Sequence, residues 1–255
     1  MDNALITAKD HLTTIGPQRV WSLLVTVFGD LAQRPGDSID GPVLSALMQT
    51  LNIKPEALRV ALHRLRKEGW IISTKNGRIS HHSLTPRGRA ESVAASPRIY
   101  GAPADMPQNW QIILTQNNGT AIRTSLEKLG FAPLMSRVFL GDATLVAPKG
   151  AFALPAQNAP NWLRAQFEPS EIAQDYAVLF DALKRLKSAL PETQTLTSHD
   201  IAVLRCLIVH SWRRLVLRHS ALPRSLYTDN WRGHDCRALV TDLLGRLPKP
   251  ELADL

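Results

Sequence analysis

PEALRVALHRLRKEG, residues 55–69, decides how the rest of the chain is read. Pro55 suits the first turn of a helix, because its φ is already helical and its missing N–H would have found no partner there. Gly69 suits the position just past the last turn, where a left-handed residue closes a helix. At 100° per residue, Leu58, Ala61, Leu62 and Leu65 fall on one face. Glu56, Val60, His63, Arg64 and Lys67 fall on the opposite side, with Arg59 and Arg66 on the flanks. Such a helix buries one side and offers the other as a basic surface.

Upstream, the apolar run VWSLLVTVF (Val20 to Phe28) predicts a buried helix ended by Gly29-Asp30. The segment through Arg34-Pro35-Gly36 to Asp40 reads as turns. A second helix is predicted over Gly41 to Leu51, with Asp40 as N-cap, Pro42 in the first turn, and Val43, Leu44, Leu47 and Leu51 as its apolar face. Asn52-Ile53-Lys54 is then a short turn into the basic helix. Two helices joined by a tight turn, the second basic on its outer side, match a helix-turn-helix.

Downstream, Trp70 to Ile72 is strand-like, and Ser73 to Arg78 contains Asn76-Gly77, a strong hairpin signal. Ile79 to Leu84 returns as a second strand, and Thr85-Pro86 can start another helix. That order is the winged form of the motif. The neighbours His81 and His82 point to opposite faces of a strand, so they do not share a metal ion.

Lys54, Glu56, Arg59, Val60, His63, Arg64 and Lys67 are therefore candidate DNA contacts on the groove helix. Arg bonds guanine bidentately, and Lys or His reaches phosphates or base acceptors, which makes Arg64 the candidate base reader. Lys75 and Arg78, at the wing tip, are candidates for the phosphate backbone or minor groove. The charge agrees. Residues 52–98 hold ten Lys and Arg against three acids, so seven of the eight net positive charges lie there. A field this concentrated points to a polyanion, because binding releases condensed counterions.

After Arg98 the chain changes character. Pro97, Gly101, Pro103 and Pro107 read as a linker. Trp110 to Leu114 is a predicted strand, Thr120 to Leu129 a helix ending at Gly130, Arg137 to Leu140 a strand and Thr144 to Val146 a candidate third. That alternation suggests a small ferredoxin-like unit. Pro148 to Pro160, rich in Ala and Pro, gives no assignable element. From Glu171 the chain reads helical: Glu171 to Ala189, His199 to Arg218 with Ser198 as N-cap, a break at Leu222-Pro223, and Asp235 to Leu247. The expected class is α+β in three segments: a winged helix-turn-helix over 1–98, a ferredoxin-like domain over 99–168 and a helical domain over 169–255.

Other classes find little support. The chain is 44% hydrophobic and 20% charged, with no apolar run long enough to span a bilayer and no secretory pattern at its start. Cys206 and Cys236 read as isolated thiols of a reducing cytoplasm. GxxxxGK, HExxH and GxSxG are absent, and Asp105, Asp142 and Asp175 are scattered. The expectation is a cytoplasmic, membrane-free, non-enzymatic protein without cofactor or metal.

Several stretches, in order, resemble the phenylacetate-degradation repressor family, PaaX. They are SLLVTVFGD (Ser22 to Asp30), ALRVALHRLRKEGW (Ala57 to Trp70), SHHSLTPRGR (Ser80 to Arg89) and Arg98-Ile99-Tyr100, then LIVHSWRRLVLR (Leu207 to Arg218), Leu222-Pro223 and Asn230-Trp231-Arg232-Gly233. The resemblance implies a central domain similar to the CRISPR-associated Cas2 fold. It also implies a homodimer that represses an aromatic-catabolism operon and is released by an aryl-CoA thioester, typically phenylacetyl-CoA. The sequence departs from the family in two ways. Ser211 stands where an acid is usual, and the chain is short around Pro148 to Glu168.

A CoA thioester carries several phosphate charges, and arginine suits them. His210, Arg213 and Arg214, at the edge of a helix whose inner face is Leu204, Leu207, Ile208, Ser211 and Leu215, are thus candidate effector residues, with Trp231 and Arg232. The alternative is that they cap helices and pair with acids such as Asp229 and Asp235. Three other functions remain open: DNA binding without a CoA effector, a winged helix used for protein contacts, and a metal-dependent nuclease. The last lacks an acid after its first strand, where Thr115-Gln116-Asn117 stands.

Overall fold

The computed structural model describes residues 3–16, 19–190, 196–219 and 221–255. In chain order its elements are α1 (Asn3–Thr14), α2 (Val20–Leu31), β1 (Ile39–Asp40), α3 (Gly41–Thr50), α4 (Pro55–Lys67), β2 (Ile71–Asn76), β3 (Ile79–Leu84) and α5 (Pro86–Tyr100). There follow β4 (Trp110–Leu114), α6 (Thr120–Lys128), β5 (Ala132–Met135), β6 (Val138–Asp142), β7 (Phe152–Ala156) and α7 (Asn161–Phe167). The last three are α8 (Ser170–Ala189), α9 (Ser198–Val216) and α10 (Gly233–Arg246). The class is mixed α+β with two antiparallel sheets. No described helix is long and apolar enough to cross a membrane.

Contacts divide the chain into two compact units, and the division cuts across the three consecutive segments expected. One unit holds the described residues of 1–100, 178–214 and 239–255; the other holds 101–177 and 215–238.

In the first unit, α2 does not stop at Gly29-Asp30 but runs to Leu31. Asp30 stays in the helix because its carboxylate has a buried partner. Arg205 on α9 donates from Nε and Nη2 at 2.9 and 2.8 Å, and the Tyr100 hydroxyl donates at 3.0 Å. Arg205 Nη1 also donates to the Leu247 carbonyl at 2.5 Å, so the guanidinium is satisfied on several sides. A further bond runs from Trp212 Nε1 to the Ile99 carbonyl at 2.8 Å. These bonds explain why α5 continues past Pro97 to Tyr100, where a linker was expected. The Pro ring removes one helical hydrogen bond, but the residues beyond it are held from outside.

The first sheet has the order β1-β3-β2. The turn between β2 and β3 is shifted from the expected place. Asn76 still pairs with Ile79, and the loop residues are Gly77 and Arg78. Gly77 has φ +58, as the first central position of a type II′ turn requires. The first strand therefore extends from Ile71 to Asn76 rather than ending at Ile72. Thr85 caps α5 as expected, its Oγ1 accepting from the Gly88 N–H at 2.9 Å.

In the second unit the sheet order is β5-β6-β4-β7, every pairing antiparallel. Ile113, Leu126, Phe131 and Phe139 form its core beneath α6. The third predicted strand, Thr144 to Val146, is instead a turn. Asp142 Oδ1 accepts from the Thr144 N–H at 2.9 Å, and the Gln111 side chain donates to the Leu145 carbonyl at 2.6 Å. The fourth strand is Phe152–Ala156, within the stretch that gave no prediction. The α9 cap is Thr197 rather than Ser198. Thr197 Oγ1 accepts from the Asp200 N–H, and Asp200 Oδ2 accepts from the Thr197 N–H, at 3.1 and 3.4 Å.

Candidate nucleic-acid interface

The solvent face of α4 is built by what the other face buries. Leu58, Ala61 and Leu65 are buried, and Leu62, expected with them, is only half-buried. Opposite lie Glu56, Arg59, Val60, His63 and Lys67, all exposed. Val60 is 69% exposed. Arg59 approaches Glu56 only at 4.0 Å, and both side chains are more than 70% exposed. Lys54 precedes the helix, exposed and without a side-chain capping bond.

Arg64 departs from the expectation. Its Nε lies 2.7 Å from Glu68 Oε1, and its guanidinium sits 4.7 Å above the Trp21 ring of α2. Those contacts draw the side chain toward α2, although 51% of it stays exposed. The spacing of Arg64 and Glu68, four apart on a helix, was visible in the sequence. The Trp21 contact was not.

Lys75 and Arg78 lie exposed at the hairpin tip. Behind them the hairpin is anchored. His81 Nδ1 meets Asp40 Oδ1 at 2.5 Å, so Asp40 holds a histidine instead of making the expected side-chain cap of α3. His82 Nδ1 lies 2.7 Å from Ser73 Oγ. Burial, then the charges of Arg66 and His81, push the His82 pKa down. The two histidines thus have separate partners.

The effector candidates do not form one cluster within a unit. His210, Arg213 and Arg214 belong to the first unit, Trp231 and Arg232 to the second. His210, expected at a helix edge, is 1% exposed, with Nδ1 3.2 Å from Thr26 Oγ1 on α2. Burial first, then the nearby Arg213 and Arg214 charges, push its pKa down to about 3, so the ring is neutral. Arg213 Nη1 donates to the same Thr26 hydroxyl at 3.2 Å. Arg214 Nη1 donates to the Ile15 carbonyl, which follows α1, at 2.9 Å. Trp231 is buried and stacked on Tyr227 at 4.8 Å between ring centres. Arg232 pairs with Asp235 at 2.9 Å, the partner that the alternative reading named. Thr26, Asp30 and Arg205, which complete this polar seam, were not singled out in the sequence; a Thr and an Asp inside an apolar helix were the available signal.

Comparison with known proteins gives a consistent result. Residues 19–88 match the PaaX-like protein family, and residues 167–252 match the PaaX-like protein C-terminal domain. The transcriptional repressor PaaX of Escherichia coli (strain K12) is 26% identical over 275 residues, spanning 98% of this chain and 87% of that protein. Among solved structures, an uncharacterized protein from Mycobacterium tuberculosis shares the fold with a TM-score of 0.55 at 19% identity, covering 89% of this chain and 94% of that one. With both ends matched and the repressor aligned along nearly its whole length, the chain belongs to the PaaX-like family.

Proposed function

We propose that this protein is a DNA-binding transcriptional regulator that represses an aromatic-acid, phenylacetate-type catabolic operon. An aryl-CoA thioester releases it, and it works as a homodimer. The observation that carries the reading is the outer face of α4, where Arg59, Val60, His63 and Lys67 stand exposed, Arg59 meeting Glu56 only at 4.0 Å and the others without an ion-pair or hydrogen-bond partner for their side chains among the described residues. A helix in this state can enter a major groove, with Val60 against a thymine methyl and the cations on bases and phosphates.

The order α2, α3, α4, β2, β3 supports a winged helix-turn-helix, with α3 and α4 as its two helices and Lys75 and Arg78 on the backbone. The strand order β5-β6-β4-β7 supports a ferredoxin-like, Cas2-like centre, although no helix separates β6 from β7. The repressor relative supports the regulatory role.

The test is fluorescence anisotropy with labelled duplexes from upstream of the chain's own gene and its neighbours. Saturable binding that falls with salt and is reversed by phenylacetyl-CoA is expected. Binding no tighter than to random duplex overturns the proposal. One observation favours a second reading, a regulator without a CoA effector: His210, Arg213 and Arg214 are engaged inside the protein. Operator binding unaffected by every acyl-CoA tested would select it.

A further inference from the structure

A groove of about 660 Å³ runs between α1 and α8 in the first unit. Its volume falls within the range of small-ligand sites, roughly 300–1,000 Å³. One wall is the face of α1 that carries Ala8 and His11; the other is the stripe Asp181, Lys184, Arg185 and Ser188 on α8. Those four positions are spaced three, four and seven apart, so they form a single helical face.

The charges of this stripe are unusual for their helix. Lys187, on the same helix, is paired with Asp242 at 3.1 Å, and Arg246 of α10 donates to the Lys187 and Leu190 carbonyls. Lys184 and Arg185 have no ion-pair or hydrogen-bond partner for their side chains among the described residues. Asp181, three and four positions away, pairs with neither, although that spacing favours such pairs. His11 faces them from α1, its side chain also without a partner among the described residues. The Arg214 guanidinium holds the Ile15 carbonyl just beyond α1, fixing that wall at its C-terminal end.

We propose that the α1–α8 groove binds an organic phosphate, with Lys184, Arg185 and His11 as its charge-binding residues. A point-charge ammonium beside a forked guanidinium suits the oxygens of a phosphate, which accept from several donors at once. Asp181 at the other end of the stripe repels a second anionic group and accepts from an amine or hydroxyl. The ligand is therefore a phosphate ester with a hydrogen-bond donor on its remaining part. Binding of this ligand stands independently of the proposed DNA role; only its use as a release signal rests on that role.

Calorimetric titration of the full chain with coenzyme A, inorganic pyrophosphate and phenylacetate tests the proposal. The wild-type protein is expected to bind coenzyme A saturably, pyrophosphate to compete, and phenylacetate to leave no signal at the same concentration. K184A/R185A is expected to weaken coenzyme A at least tenfold, while R123A/K128A, which removes the same charge from α6, leaves affinity unchanged. Both substituted groove side chains are exposed, and an unaltered melting curve checks that the variant folds. Equal affinity of K184A/R185A and wild type overturns the proposal, as does a wild-type protein that binds neither phosphate compound. Phenylacetate binding that is lost in the same variant assigns the groove to carboxylates and overturns the phosphate assignment. In the operator assay, release of wild type and K184A/R185A alike removes the groove but keeps an effector. Coenzyme A binding without operator binding does the reverse.

Discussion

Helices α4 and α9 each carry arginines and a histidine within a few residues, and each was singled out from sequence for that reason. The structure treats them oppositely. On α4, Arg59, His63, Arg64 and Lys67 remain exposed, with Arg64 also meeting Glu68 and Trp21. On α9, Arg205, His210, Arg213 and Arg214 all turn to partners on the protein: Asp30, Thr26 and the Ile15 carbonyl. Composition alone does not separate a binding surface from a structural seam. What separates them is whether a second element supplies the complementary group. Charges left unmatched by the fold remain available to a ligand, and matched ones hold the fold together.

The sharpest way to break this contrast is Asp30→Ala. It strands a buried guanidinium and is expected to cost about 3–5 kcal/mol of unfolding free energy in urea. A loss below about 1 kcal/mol would mean that the α2–α9 seam is not structural. The next effect depends on pH. His210 has a folded pKa near 3, below its ordinary 6.5, so the unfolded chain binds more protons between those values. Stability is therefore full above pH 6.5 and declines as pH falls, by about 2 kcal/mol at pH 5 from this residue. His234, held near 4 chiefly by burial, acts with the same sign. Urea midpoints at pH 7.5 and 5 should show the decline, and His210→Gln should lessen it.

On the DNA side, K75A/R78A is expected to weaken specific and random duplexes alike. It should also flatten the slope of log K against log salt by about 2, one for each lost phosphate contact. A change confined to one sequence would reassign the hairpin to base reading. Val60→Ala should cost about 1 kcal/mol on the preferred sequence and nothing on random DNA. Arg64→Ala should have the smallest effect on specificity, less than Arg59→Ala, because Glu68 and Trp21 already occupy its guanidinium. Parallel anisotropy titrations would rank the three.

Residues 41–86 were legible because their signals are local, whereas α1 carried no sequence signal that was read. Pro55 and Gly69 bound α4, Thr85 caps α5, and alternation marks the hairpin. Locality also set the limits of the reading. Gly29-Asp30 looked like a stop because the partner of Asp30 is 175 residues away. Pro97 looked like the start of a linker because Trp212, which holds the Ile99 carbonyl, lies 113 residues farther along the chain. The strand Phe152–Ala156 was hidden because an exposed edge strand can contain Pro155 and show no alternation; its place is set by pairing with β4. Of the candidate site, the outer residues of α4 were readable from helical angle. The internal partners of His210, Arg213 and Arg214 were not, since residue type says nothing about whether a charge is already satisfied.

The two residues of β1 have a consequence out of proportion to their number. Ile39 and Asp40 pair with His82 and His81 of β3, and Gly41 immediately begins α3. The helix that precedes α4 and the strand that returns from the hairpin tip are therefore joined by a backbone ladder rather than by side chains alone. Any displacement of the tip would have to drag α3 with it. The hairpin and α3 are in this respect like the two jaws of a caliper fixed to each other; if the proposed DNA role holds, the distance between a phosphate held at the tip and a base touched by α4 would be a constant of the fold.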